Sequence, residues 1–277
     1  RLSGFAREIV VAGVYGATAE ADIVVLMLTA PDLLISVLVG GAFGAALVPE
    51  FTQKPKQAKL LLYQSILIFG SIFLILAFLL SRHSSLLADL LAPGFAKAQA
   101  AQAATALSWV IWLLPLIVLA GLTSAFLHSQ HKFGIAALGT LIMNCAIIIG
   151  LLLVYYGIGS LFLVALFVLL GGLLRFLSQL ALIPLTISPI KSITPLQINR
   201  NLATRYFQAM LSGGILFLFP IMTRAFASYE EPGSVALMSY TAKLVEFPLA
   251  LAVTFLSVIF FPKLSQACAL TPHNHGN

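Results

Sequence analysis

Apolar residues run along this chain in stretches of about 20, the length a helix needs to cross a hydrocarbon core of roughly 30 Å, separated by short polar breaks. Marking those stretches predicts eight segments, at residues 1–15, 21–52, 59–80, 102–127, 133–156, 160–187, 203–228 and 233–262. The first is too short to span and reads as the far end of a helix, with "GVYGATAEA" making the turn after it. The second is longer than one straight span and contains Pro31 and Gly40-Gly41, so a break or kink is expected there. Pro115, Gly171-Gly172, Gly213-Gly214, Pro220 and Pro248 fall inside other segments. Irregular backbone at membrane depth is tolerated where it lines a cavity or packs closely on a neighbour, and close packing is the expected role of most of these glycines.

Composition agrees with this pattern. Of 277 residues 60% are hydrophobic and 9% charged, with a mean hydropathy of +1.05, where an ordinary soluble domain is about a quarter charged. Too few charges exist to coat a soluble surface, so the fold class is an all-α membrane protein, a polytopic helical bundle of about eight transmembrane segments with the first one partial. The net charge of +6 sits mostly in the gaps between spans and needs no nucleic-acid partner. With the start of the chain cytoplasmic, one set of alternate gaps carries Lys54, Lys56 and Lys59, then His128, His131 and Lys132, then Lys191, Arg200 and Arg205, then Lys263. The opposite set carries Glu20, then Arg82, Asp89 and Lys97, then "YYGIGS", then Glu230 and Glu231 beside Arg224. That bias is the one the positive-inside rule requires. The polar stretch 188–201 is the single linker, dividing 1–187 from 188–277. Because the sequence opens on Arg1 already inside a helical pattern, it reads as part of a longer one.

The chemistry lies in the ionisable residues left within spans or at their ends: Arg1, Arg7, Glu8, Asp22, Asp32, Arg175, Lys243 and Glu246. A charge at bilayer depth costs about 2.5 kcal/mol or more and faces a partner or a watery cavity. Lys243 and Glu246 are spaced i, i+3 and share a helix face, either as a local ion pair or as a cavity cation for an anionic ligand with its resting counter-ion. Arg1, Gly4 and Glu8 lie on one stripe while Arg7 points elsewhere. Asp22 and Asp32 occupy positions where carboxylates cap helices, and Arg175 is placed to snorkel toward the cytoplasmic interface. Cys145 and Cys268 form neither a disulfide framework nor a metal spacing, and His273 and His275 lie on a terminal tail where solvation is the plainer reading. Phosphate loop, nucleophile elbow and helical His-Glu metal motif are absent from the sequence. Neither an enzyme nor a cofactor is expected. Broken helices with a few buried cations point to a carrier of something negatively charged.

Five stretches together resemble the lipid II flippase family, MurJ/MviN, of the multidrug/oligosaccharidyl-lipid/polysaccharide exporter superfamily: "RLSGFAREIVVAGVYGATAEAD" (1–22), "PDLLISVLVGGAFGAALVPEF" (31–51), "LAPGF" (91–95), "FLHSQHKFGIAALGTLIMN" (126–144) and "SYTAKLVEFPLALAVTFLSVIFFPKLS" (239–265). The resemblance implies an inner-membrane carrier that moves the undecaprenyl-pyrophosphate-linked cell-wall precursor, lipid II, outward by alternating access, with membrane lipids around it. It implies fourteen helices in two lobes about a cationic cavity, of which this chain would supply part of helix 1 and helices 2 to 8. It places Arg1, Arg7 and Lys243 as cavity cations, with Asp22 and Glu246 at acidic family positions. This sequence departs from the family pattern at Ile35-Ser36, where two arginines are usual, at Gly40, where a glutamate is usual, and at Ala242, where an aspartate is usual. Those departures keep two alternatives in view, a non-transporting relative and a flippase for another lipid-linked oligosaccharide. A third, an exporter of small cations or drugs, would require acidic rather than basic cavity residues.

Overall fold

The computed structural model describes residues 2–38, 42–53, 55–183 and 200–249 and the single positions 252 and 260. Among the described residues the secondary structure is helical, as the bilayer demands of a chain that must satisfy its backbone polar groups internally. The helices are α1 (Leu2–Tyr15), α2 (Ala19–Leu38), α3 (Ala42–Gln53), α4 (Pro55–Arg82), α5 (Ser84–Leu91), α6 (Lys97–Val110), α7 (Leu113–Ser129), α8 (Phe133–Tyr155), α9 (Leu161–Leu180) and α10 (Arg200–Ala227). An eleventh, α11, covers 234–249. Three of them contain stretches long and apolar enough to cross a membrane, at Ala58–Arg82, Phe133–Tyr155 and Leu161–Leu180, and the bent pair α6 and α7 makes a fourth. The other predicted segments appear as α1, the α2/α3 pair, α10 and α11.

Among the described residues, the expected irregularities are realised at one proline and not at others. The helix of α2 continues unbroken through Pro31 to Leu38 and α3 starts at Ala42; residues 39–41, Gly40 and Gly41 among them, lie outside the described residues. The segment around Pro115 bends by 40° between α6 and α7. Its cause is the missing N–H of Pro115, which leaves the Ile111 carbonyl without its i+4 donor; that oxygen instead accepts from Leu114 N at 2.9 Å. At Pro220 α10 runs on unbroken. An element that the spacing does not announce is α5, inside the gap read as a loop: "LLADLL" is too short to span and is stopped by Pro93.

The core is organised around α7, which is buried over most of its surface and packs against α2, α3, α4, α8 and α9. A helix apolar all round belongs at the centre of a bundle. Large apolar side chains of α4 such as Leu67, Ile75 and Phe78 point outward instead, as they do on a lipid-facing span. Gly171 and Gly172 let α9 approach two neighbours at once. A Cβ at Gly171 would lie 2.9 Å from the Met143 carbonyl oxygen of α8, and one at Gly172 would collide with Leu113 of α7. Close packing is therefore what this glycine pair does. Helix α10 docks on α3 through Tyr206, whose ring stacks on Phe43 at a centroid distance of 5.0 Å, and the two helices are tied again where Arg205 approaches Glu50 at 3.7 Å. The stretch 184–199, which holds most of the predicted linker, lies outside the described residues.

Candidate functional site: a carboxylate clasp and two ion pairs

The turn after α1 is built by local rules. Gly16 takes a positive φ of 58°, and the Thr18 hydroxyl caps α2 by accepting from Ala21 N at 3.2 Å. With Thr18 in that role, Asp22 is not needed by its own helix. Its carboxylate, 2% exposed, reaches the start of α11. Oδ2 accepts from Gly233 N at 2.7 Å and Oδ1 from Ala236 N at 2.8 Å. These are the N-cap and N3 amides of α11, the two donors that a capping box satisfies from within a helix. Gly233 has no side chain to do so, and a carboxylate at a helix N-terminus also gains from the macrodipole. Gln99 of α6 donates to Asp22 Oδ2 at 3.4 Å and to the Ala19 carbonyl at 3.3 Å.

Three further contacts close the same end of the bundle. Gly94 N donates to Ser228 Oγ at 2.9 Å, Tyr240 Oη donates to the Gly16 carbonyl at 3.1 Å, and Gly233 lies against the Ala17 carbonyl with φ +98°. So three of the four gaps assigned to one side of the membrane, those holding Glu20, Lys97 and Glu230, meet one another. Gly94, Gln99, Ser228 and Gly233 are not singled out by the sequence reading. The available signal was the Pro-Gly dipeptide, which occurs at 93–94 and again at 232–233.

The predicted cations form separate pairs. Arg7 and its neighbour Glu8 are both buried, with Nη2 to Oε1 at 2.7 Å. Lys243 Nζ lies 2.8 Å from Glu246 Oε2 on a half-exposed face of α11. Helices α1 and α11 meet at this level, because Phe5 stacks on Phe247 with centroids 4.2 Å apart and planes inclined by 6°. Arg1, Gly40, Cys268, His273 and His275 lie outside the described residues, as do the side chains of Asp32, Ile35 and Ser36. Arg175 is half-buried against α8, its Nη1 4.0 Å from Met143 Sδ.

The sequence family described as lipid II flippase MurJ matches residues 11–277. The chain belongs to the lipid II flippase MurJ family. A probable lipid II flippase MurJ of Buchnera aphidicola (subsp. Acyrthosiphon pisum) is 28% identical over 96% of this chain and 54% of its own length. The lipid II flippase MurJ of Burkholderia cenocepacia is 27% identical over 96% of this chain and 54% of its own. A solved structure titled as lipid II flippase MurJ in an inward closed conformation shares the fold, with a TM-score of 0.83 at 23% identity over 98% of this chain and 57% of that one. This chain thus spans about half the length of the relatives it matches. It is a membrane protein of that family, and the helical-bundle fold expected from the apolar pattern is the one observed.

Proposed function

We propose that this chain forms part of a flippase that carries undecaprenyl-pyrophosphate-linked peptidoglycan precursor across the bacterial inner membrane by alternating access. It would contribute the lobe 1–187 and the first helices, 188–277, of a second lobe. The observation that carries the mechanism is the clasp of Asp22 on Gly233 and Ala236, a two-bond link between helices 211 residues apart in sequence. A closed gate for alternating access needs contacts that hold one end shut yet reverse as the lobes rock. One carboxylate on a helix terminus meets that need, because it can part from α11 and be rehydrated without leaving a broken core behind.

In this reading Arg1, Arg7 and Lys243 present positive charge to the pyrophosphate. Glu246 is the resting counter-ion of Lys243 and Glu8 that of Arg7, each displaced when the anionic head group arrives. Lysine meets phosphate as a point charge where arginine would grip it with two parallel bonds. Neutral Ala242, beside Lys243, favours a second reading in which the substrate is another lipid-linked saccharide. Native mass spectrometry of the purified chain against lipid II and a neutral lipid of equal tail length tests the proposal. Selective retention of lipid II that disappears in Lys243→Ala supports it, and equal retention of both lipids refutes it.

A further inference from the structure

Helices α4 and α9 both rest on α7 and leave between them a groove of about 650 Å³ beside the first two turns of α7, directly after the 40° bend. Its floor is Trp112, Pro115, Leu116 and Leu119, and its walls include Leu67 and Leu170. We propose that this groove seats one acyl chain of a bilayer phospholipid. The site is separate from the clasp and the ion pairs and holds independently of what the protein transports.

The argument begins with the walls. Both wall helices are membrane spans with only 28% of their apolar windows buried inside the protein. Leu67 is 69% exposed, Leu74 50%, Leu166 48% and Leu170 39%. The groove is therefore the concave part of a surface that already faces hydrocarbon, continuous with the outward side chains of α4. An apolar hollow of this kind does not recruit water, and left empty it would forfeit the dispersion contacts of every side chain lining it. A flexible hydrocarbon chain, present at that depth in the surrounding solvent, supplies them.

A second transmembrane helix is the poorer occupant. Helix association in lipid relies on small residues that let backbones approach, and the rims here are leucines. Of the small residues in the groove, Gly70 is already filled, since a Cβ there would lie 3.3 Å from Leu119 Cδ2, which leaves Ser71. An isolated small residue between leucine rims suits a thin chain better than a helix face. The polar groups lining the groove are the Ser71 hydroxyl and the indole N–H of Trp112, too few to demand a headgroup inside it.

Trp112 makes the site readable. The chain has two tryptophans; the other, Trp109, lies outside this groove, edge-on to Phe162. In the full chain carrying Trp109→Phe, reconstituted into phosphatidylcholine vesicles brominated at mid-chain, Trp112 should lose most of its fluorescence relative to unbrominated vesicles. Filling the groove from one wall with Ser71→Phe, or from the other with Leu170→Phe, should restore a large part of it while far-ultraviolet circular dichroism stays unchanged. An unquenched Trp112 in the Trp109→Phe chain would overturn the proposal by showing that polypeptide covers the groove. Quenching that neither filling variant relieves would overturn it in favour of ordinary annular lipid.

Discussion

The carboxylate of Asp22 lies 2.7 Å from the backbone nitrogen of Gly233, and through that bond the turn after α1 governs where α11 begins. Buried hydrogen bonds to a charged acceptor contribute about 1.5–3 kcal/mol each. Asp22→Asn keeps the shape but loses the charge and one acceptor oxygen. It should loosen the clasp by about 1–3 kcal/mol, read as faster labelling of a cysteine placed at Ser234 by a membrane-impermeant maleimide. Labelling at the unmodified rate would mean that Asp22 does not hold this end closed.

Gly233→Ala should open the same end by a different route. The residue sits at φ +98° and an added Cβ would strike the Ala17 carbonyl, so both backbone strain and contact oppose it. The Ser234 cysteine should again become more reactive, and combining the change with Asp22→Asn should add little, since both act on one contact.

Lys243 and Glu246 are partly exposed, so their pairing contributes little to stability. Glu246→Gln should leave thermal unfolding in detergent nearly unchanged and strengthen binding of the pyrophosphate lipid, because Lys243 no longer has a competing carboxylate. Lys243→Arg should strengthen it too, through bidentate contact. Weaker binding in Glu246→Gln would show that the glutamate assists the ligand rather than standing in for it.

In the core, Gly172→Leu should destabilise the bundle by about 1–3 kcal/mol, the usual cost of overpacking, because Leu113 occupies the space its side chain would need. A thermal scan in detergent measures this, and an unshifted midpoint would mean that α9 can slide away from α7 freely.

Gln179 offers the opposite sign. It is fully buried and accepts from Thr123 Oγ1 at 2.6 Å, while its Nε2 meets no hydrogen-bond partner among the described residues. Thr123 also has the Leu119 and Ala120 carbonyls within reach, at 3.1 and 3.0 Å. Gln179→Met removes an unsatisfied donor and should be neutral or stabilising by about 1 kcal/mol. A large loss in the same thermal scan would reveal a bond to Nε2 that the static arrangement does not contain.

The positions of the long helices, though not of α5, were determined by the sequence alone, for a physical reason: in a bilayer each apolar run must close its own backbone hydrogen bonds, so run length and polar breaks translate directly into helices. The grouping of gaps was local too, and three of the four assigned to one side, the turns carrying Glu20, Lys97 and Glu230, do gather at one end. The i, i+3 pairing of Lys243 with Glu246 followed from helix geometry in the same way. Only the tertiary structure decided the partner of Asp22. Periodicity places that carboxylate near a helix start without saying which helix, and Thr18, four residues earlier, had already satisfied the local demand. The docking of Phe5 on Phe247 and the groove between α4 and α9 were decided there as well. Both depend on how rigid helices pack across the bundle, a property of surfaces brought together from distant parts of the chain.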